Sequence, residues 1–155
     1  MLMEKPTPET IIRSTSVLAP WFETLLLDAL SDANSQGYPI AVFESYRSPI
    51  RQNYLYSLGR TIPGKIVTRA QAWQSWHQYG VAADLAFYEN RKWSWDGPWE
   101  KVLPIFHARG FKSLDFEKSH VEITSGMMTG DARAIVTRHG IANLWDTIKL
   151  RLGNP

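Results

Sequence analysis

The segment Val81 to Tyr88 (VAADLAFY) reads as a β-strand of apolar and strand-forming residues with one carboxylate, Asp84, set in its middle. A charge buried in such a strand needs a partner or a metal ion, so the rest of the chain must fold to bring one to that point. The chain has no cysteine, which excludes thiol catalysis, disulfide stapling and thiolate metal sites together. Any metal must therefore sit on imidazole and carboxylate groups, and the four histidines are His77, His107, His120 and His139.

Around that strand the pattern alternates between helix and strand signals. From Pro20, Phe22, Leu25, Leu26, Ala29 and Leu30 recur at helical spacing, with proline at the opening turn and Gly37 past the end. Pro39 to Tyr46 (PIAVFESY) reads as a strand that hands over to a helix from about Pro49 to Leu58, with Ser48 as its N-cap and Gly59 at its end. Arg60 to Gly64 is a loop, and Lys65 to Gly80 is loop with one helical turn. Glu89 to Gly97 suits a hairpin-like excursion carrying Trp93 and Trp95. A helix follows from Pro98, closed by Gly110, and Pro104 inside it is expected to kink or split it. After a short polar link, His120 to Ile123 forms one more strand, and two helices, Gly130 to His139 and Ala142 to Leu152, finish the chain. Helices and strands in this order do not segregate into βαβ repeats. The fold class is therefore α+β, with a small, mainly antiparallel sheet flanked by helices.

The 155 residues suffice for one domain with a sizeable core, and residues 1–155 are read as a single domain without a separate second module. With 44% hydrophobic and 21% charged residues the chain is of the ordinary globular class, and no stretch approaches the roughly 20 apolar residues that span a bilayer. A net charge of +2 is far too weak for the footprint that nucleic-acid binding needs. Arg133, Arg138, Lys149 and Arg151 are expected to solvate the last helices. The opening MLMEKPTPETIIRSTS lacks a basic head before an apolar run. The expectation is a cytoplasmic monomer without signal peptide.

Two histidines keep suspicious company. His77 precedes Asp84 by seven residues, and Glu117 precedes His120 by three. Two imidazoles and one carboxylate are the ligand set of a catalytic zinc site with its fourth position open to water. By residue type alone two readings stand: such a site, or a local cap or pair at Asp84 with ordinary polar histidines near turns. A zincin helix is excluded, because its His-Glu-x-x-His motif is absent. Along the last strand, alternation gives Glu122 the face of His120, where it is expected to hydrogen-bond a ligand or a neighbour.

Ser75, His77, Gly80, Ala82 and Asp84 stand as Ser-x-His-x-x-Gly-x-Ala-x-Asp, and this resembles the first metal motif of the LAS-type (peptidase M15) zinc metallopeptidases. That group contains bacteriophage L-alanyl-D-glutamate endolysins and D-alanyl-D-alanine carboxypeptidases and dipeptidases. Glu117-Lys118-Ser119-His120 matches the second half of the pattern, and the Ser45-Tyr46-Arg47-Ser48 run resembles the family's arginine motif. The resemblance implies a LAS/hedgehog-like metallopeptidase fold with Zn2+ on His77, Asp84 and His120. It further implies Glu117 as catalytic acid/base, and Arg47 with Ser75 contacting substrate or its developing oxyanion. Gln52, one helical turn beyond Arg47, joins them as a substrate-binding candidate.

The implied substrate is the peptide stem of peptidoglycan, cut as an endolysin-type L-alanyl-D-glutamate endopeptidase. The alternatives are a D-alanyl-D-alanine carboxypeptidase or dipeptidase, favoured by glutamate at 117, and a catalytically idle domain that binds cell-wall peptide. Trp73, Trp76, Trp93, Trp95 and Trp99 are expected to divide between core filling and a contact platform. His107 and His139 are expected on solvated helix faces.

Overall fold

The computed structural model describes residues 7–153 of the chain. Helix α1 (Pro20–Ser35) carries proline in its first turn and buries Phe22, Leu26, Ala29 and Ala33, a stripe at spacings of four and three. Gly37 follows at φ +92, a left-handed conformation that turns the chain into strand β1 (Ile40–Glu44). Helix α2 (Pro49–Ser57) starts as its sequence dictates: the Ser48 side chain accepts from the Arg51 N–H, and Pro49 stands where no donor is needed. A single 3-10 turn (Trp76–Tyr79) leads into strand β2 (Ala82–Glu89).

A two-residue turn joins β2 to strand β3 (Lys92–Ser94), with Asn90 and Arg91 both at positive φ, as the tightest hairpin connection demands. Helix α3 (Trp99–His107), strands β4 (Lys112–Leu114) and β5 (Glu117–Glu122), and helices α4 (Thr129–His139) and α5 (Ile141–Leu152) complete the order. Every strand pairing is antiparallel, and the sheet runs β1-β2-β5-β4 with β3 on β2. The α+β architecture read from the sequence is the one observed.

Two expectations are corrected. Pro104 does not split α3, which continues to His107. The proline lies on the exposed side, as does Glu100, whose carbonyl would have paired with the missing N–H and can be hydrated instead. The polar link after Phe111 is itself a strand: β4 has three residues, and its pairing with β5 starts at Lys112↔Glu122. Long-range pairing makes it a strand where its own residues carry no strand signal.

The core lies on one face of the sheet. Val42, Leu85, Phe87 and Val121 meet Phe22, Leu26, Val102 and Phe106 of α1 and α3 there, with Leu144 and Ile148 from α5. Phe22 and Phe111 meet edge to face at 5.2 Å. Because side chains alternate across a strand, Asp84 between Ala83 and Leu85 projects to the opposite face. Among the described residues no helix is long and apolar enough to cross a membrane.

Candidate metal centre

Three strands place three charged side chains in one row. Glu44 on β1 stands opposite Asp84 on β2, and Asp84 stands opposite His120 on β5. The first pairing depends on an irregularity between Val42 and Glu44, without which Phe43 would take the position beside Asp84. Such bulges re-aim side chains at functional sites.

His77 reaches the row from the 3-10 turn. Ser75 caps that turn, its hydroxyl accepting from the His77 N–H at 3.3 Å, and Gln78 closes a capping box. Gly80 ends it in a left-handed conformation at φ +72, which explains glycine at that place in the motif. The turn is stitched to the segment after β1: the Arg47 N–H donates to the His77 carbonyl at 3.3 Å, and Gln78 Nε2 donates to the Arg47 carbonyl at 3.1 Å. Two motifs about 30 residues apart are joined in this way.

His77 Nε2 and His120 Nδ1 each lie 3.1 Å from Asp84 Oδ1, and the potential ligand atoms of the three residues fall within 4.8 Å of one another. The outer ring nitrogens are spoken for. His77 Nδ1 donates to the Ser45 carbonyl at 2.7 Å, and His120 Nε2 donates to Glu122 Oε2 at 2.8 Å. A carbonyl only accepts, so His77 keeps its proton on Nδ1 and turns a lone pair inward; the Glu122 carboxylate assigns His120 the same way. Two imidazole lone pairs and a carboxylate oxygen then converge on one point, an arrangement that calls for a cation. The chemistry and spacing of this donor set fit a zinc ion held by His77 Nε2, Asp84 and His120 Nδ1.

Without an ion, charge attraction holds the same three side chains together. Burial pushes the Asp84 carboxyl upward, but attraction and hydrogen bonds from His77 and His120 overcome it and hold the group well below the ordinary carboxylate range. Burial opposes a charge on His120, yet Asp84 and Glu122 raise its pKa to about 9, so its Nδ1 proton must leave before that nitrogen can hold a metal ion. Glu117 is raised by desolvation and by repulsion from Asp84, although much of the residue is open to solvent. The break in register at Leu114↔Glu117 relaxes strict alternation on β5, so a residue three before His120 senses Asp84, His120, His77 and Arg47.

Arg47 is buried, and its guanidinium donates to Glu44, to Gln52 Oε1 at 3.1 Å and to Asp84 Oδ2 at 2.9 Å. Gln52 is 0% exposed: its oxygen receives Arg47 and Gln78, and its nitrogen donates to the Ala70 carbonyl at 2.7 Å. The structure thus sets Gln52 beneath Arg47, and Ser75 at the cap of the turn that carries His77. The residues that sequence reasoning missed are Glu44, Arg51 and Gln78. Glu44 had a signal: like Asp84, it is a carboxylate in an otherwise apolar strand.

The remaining candidates lie outside the cluster. Trp76 and Trp99 are core residues, Trp73 and Trp93 are partly buried, and Trp95 is half exposed. Arg133 was expected only to solvate its helix; its guanidinium instead stacks 4.1 Å from the Trp73 ring centre. His107 and His139 are exposed, His107 hydrogen-bonded to Ser113 at 2.8 Å.

The fold is similar to that of a solved carboxypeptidase. The solved structure of the LdcB LD-carboxypeptidase, described as revealing the molecular basis of peptidoglycan recognition, matches it with a TM-score of 0.55 at 19% identity, covering 91% of this chain and 73% of that one. In sequence, the chain is 34% identical over 97 residues to the peptidoglycan L-alanyl-D-glutamate endopeptidase CwlK of Bacillus subtilis (strain 168). That alignment takes in 55% of this chain and 58% of the relative, so the match spans somewhat over half the relative's length. No family model matches. The resemblance to LAS-type metallopeptidases carried by the motifs is borne out.

Proposed function

We propose that this chain is a zinc-dependent peptidase that hydrolyses amide bonds in peptidoglycan peptide stems, as an L-alanyl-D-glutamate endopeptidase of the endolysin type. The observation that carries this reading is the convergence of His77 Nε2, His120 Nδ1 and Asp84 Oδ1, each held from behind by its own hydrogen bond. The 34% identity to CwlK supports the substrate class.

When bound, zinc supplies Lewis acidity toward the scissile carbonyl and makes water at the site more acidic. Glu117 takes a proton from the attacking water on its carboxylate and returns it to the leaving amine nitrogen. Its raised pKa suits both halves of that cycle. Ser45 and Glu122 fix the ring orientations of His77 and His120, while Arg47 holds Asp84 Oδ2 and leaves Oδ1 facing the cluster. Four of the five guanidinium N–H groups of Arg47 are engaged by Glu44, Gln52 and Asp84, so one on Nη1 remains for a substrate oxygen. Ser75 and Gln52 act by positioning His77 and Arg47.

A second reading, removal of terminal D-alanine, is favoured by the glutamate at 117. Digestion of purified muropeptides with the zinc-loaded protein, followed by mass analysis, separates the two. The expected product is a stem cut after the muramyl-linked L-alanine, exposing a new D-glutamate amine. Release of D-alanine alone assigns the carboxypeptidase reading, and no cleavage with zinc bound returns the chain to a peptide-binding role.

A further inference from the structure

We propose that Glu44 is a positioning residue that sets the metal affinity of the centre through Arg47; this rests on the zinc reading above. Glu44 is 2% exposed and touches neither histidine of the cluster among its hydrogen-bond partners. Its Oε1 takes Arg47 Nε at 2.8 Å and also Arg47 Nη2, and its Oε2 takes Arg51 Nε. The same Nη2 of Arg47 donates to Asp84 Oδ2 at 2.9 Å. Arg51 is tied on its other side to the Pro8 carbonyl at 2.9 Å, and Gln52 holds Nη1 of Arg47. Glu44 is thus the hub that decides how far the Arg47 guanidinium leans onto the metal-facing carboxylate.

The charges give this arrangement a sign. Glu44, Arg47, Arg51 and Asp84 form a buried group with two positive and two negative members, so it adds no net charge beside a dication. Removing the Glu44 charge leaves the two guanidinium charges of the group balanced by Asp84 alone, with only Arg47 in contact with it. The surplus positive charge repels zinc, and Arg47 is released to compete for Asp84, so both effects weaken binding. Removing the Arg51 charge does the reverse: Glu44 keeps Arg47, the group turns negative, and zinc binding holds or tightens. A contribution to packing alone carries no such sign, because either substitution would loosen the fold and the centre together.

The test measures zinc affinity of metal-free wild type, Glu44→Gln and Arg51→Gln by competition with a chromophoric chelator, beside their thermal melting. The expected result is a zinc Kd raised about 10- to 100-fold in Glu44→Gln, the range for groups that hold metal ligands, and no rise in Arg51→Gln, while both variants melt lower. Wild-type affinity in Glu44→Gln, or weakening in Arg51→Gln equal to that in Glu44→Gln, overturns the inference. Should Glu44→Gln not fold, Arg51→Gln decides: unchanged or tighter binding supports it, and weaker binding overturns it. A wild-type chain that binds no zinc overturns instead the metal reading beneath it.

Discussion

His120→Ala is expected to emerge from dialysis with almost no zinc and with peptidoglycan hydrolysis at background. The substitution removes one of the three proposed ligands, and two ligands do not form a closed set for a tetrahedral ion that keeps a position for water. It also strips Glu122 of the imidazole it orients at 2.8 Å and Asp84 of one of its two histidine contacts. Two carboxylates, Asp84 buried and Glu122 partly so, are then left without the group that faced them both. Zinc content by elemental analysis, read beside hydrolysis of purified cell walls, checks this. Full occupancy together with full activity would remove His120 from the centre.

Glu117→Gln separates holding the metal from using it. Glutamine keeps the size of the side chain and loses the proton-accepting carboxylate, and Glu117 is not among the three residues whose ligand atoms converge. Zinc content is therefore expected to stay at the wild-type level while turnover falls by roughly two to four powers of ten, the usual contribution of a positioned acid/base group. The loss should appear in kcat and kcat/KM alike, since the role proposed for the carboxylate lies in the transition state and not in ground-state binding. Wild-type turnover in this variant would assign proton transfer to another group. The nearest other carboxylate on the strand, Glu122, is already committed to His120.

The centre was legible because its chemistry contradicts its surroundings. Asp84 stands out as a charge in VAADLAFY, and His77 and His120 follow from fixed offsets in two motifs. Glu44 bears the same mark in PIAVFESY, yet a carboxylate at the end of a short strand is equally at home in solvent. Only the irregularity between Val42 and Glu44 turns it inward beside Asp84. Helices α1 and α2 announced themselves by stripe and cap, since both signals are local. β4 did not, because three residues paired across a chain reversal owe their conformation to β5. The hydrogen-bond partners of Ser75 and Gln52 were equally out of reach. Whether a polar side chain faces substrate or satisfies a neighbour depends on which partners come within 3 Å or so, and spacing along the chain does not record that.

The central claim is that one zinc ion held by His77, Asp84 and His120 serves amide hydrolysis in the peptide stems of peptidoglycan. The most direct measurement strips the wild-type protein with a chelator, returns zinc in sub-stoichiometric steps, and follows release of new amino groups from purified peptidoglycan. The account predicts activity that vanishes on stripping and climbs linearly to a plateau at one zinc per chain. Full activity in the metal-free protein, or a protein saturated with zinc that releases no amines, would contradict it.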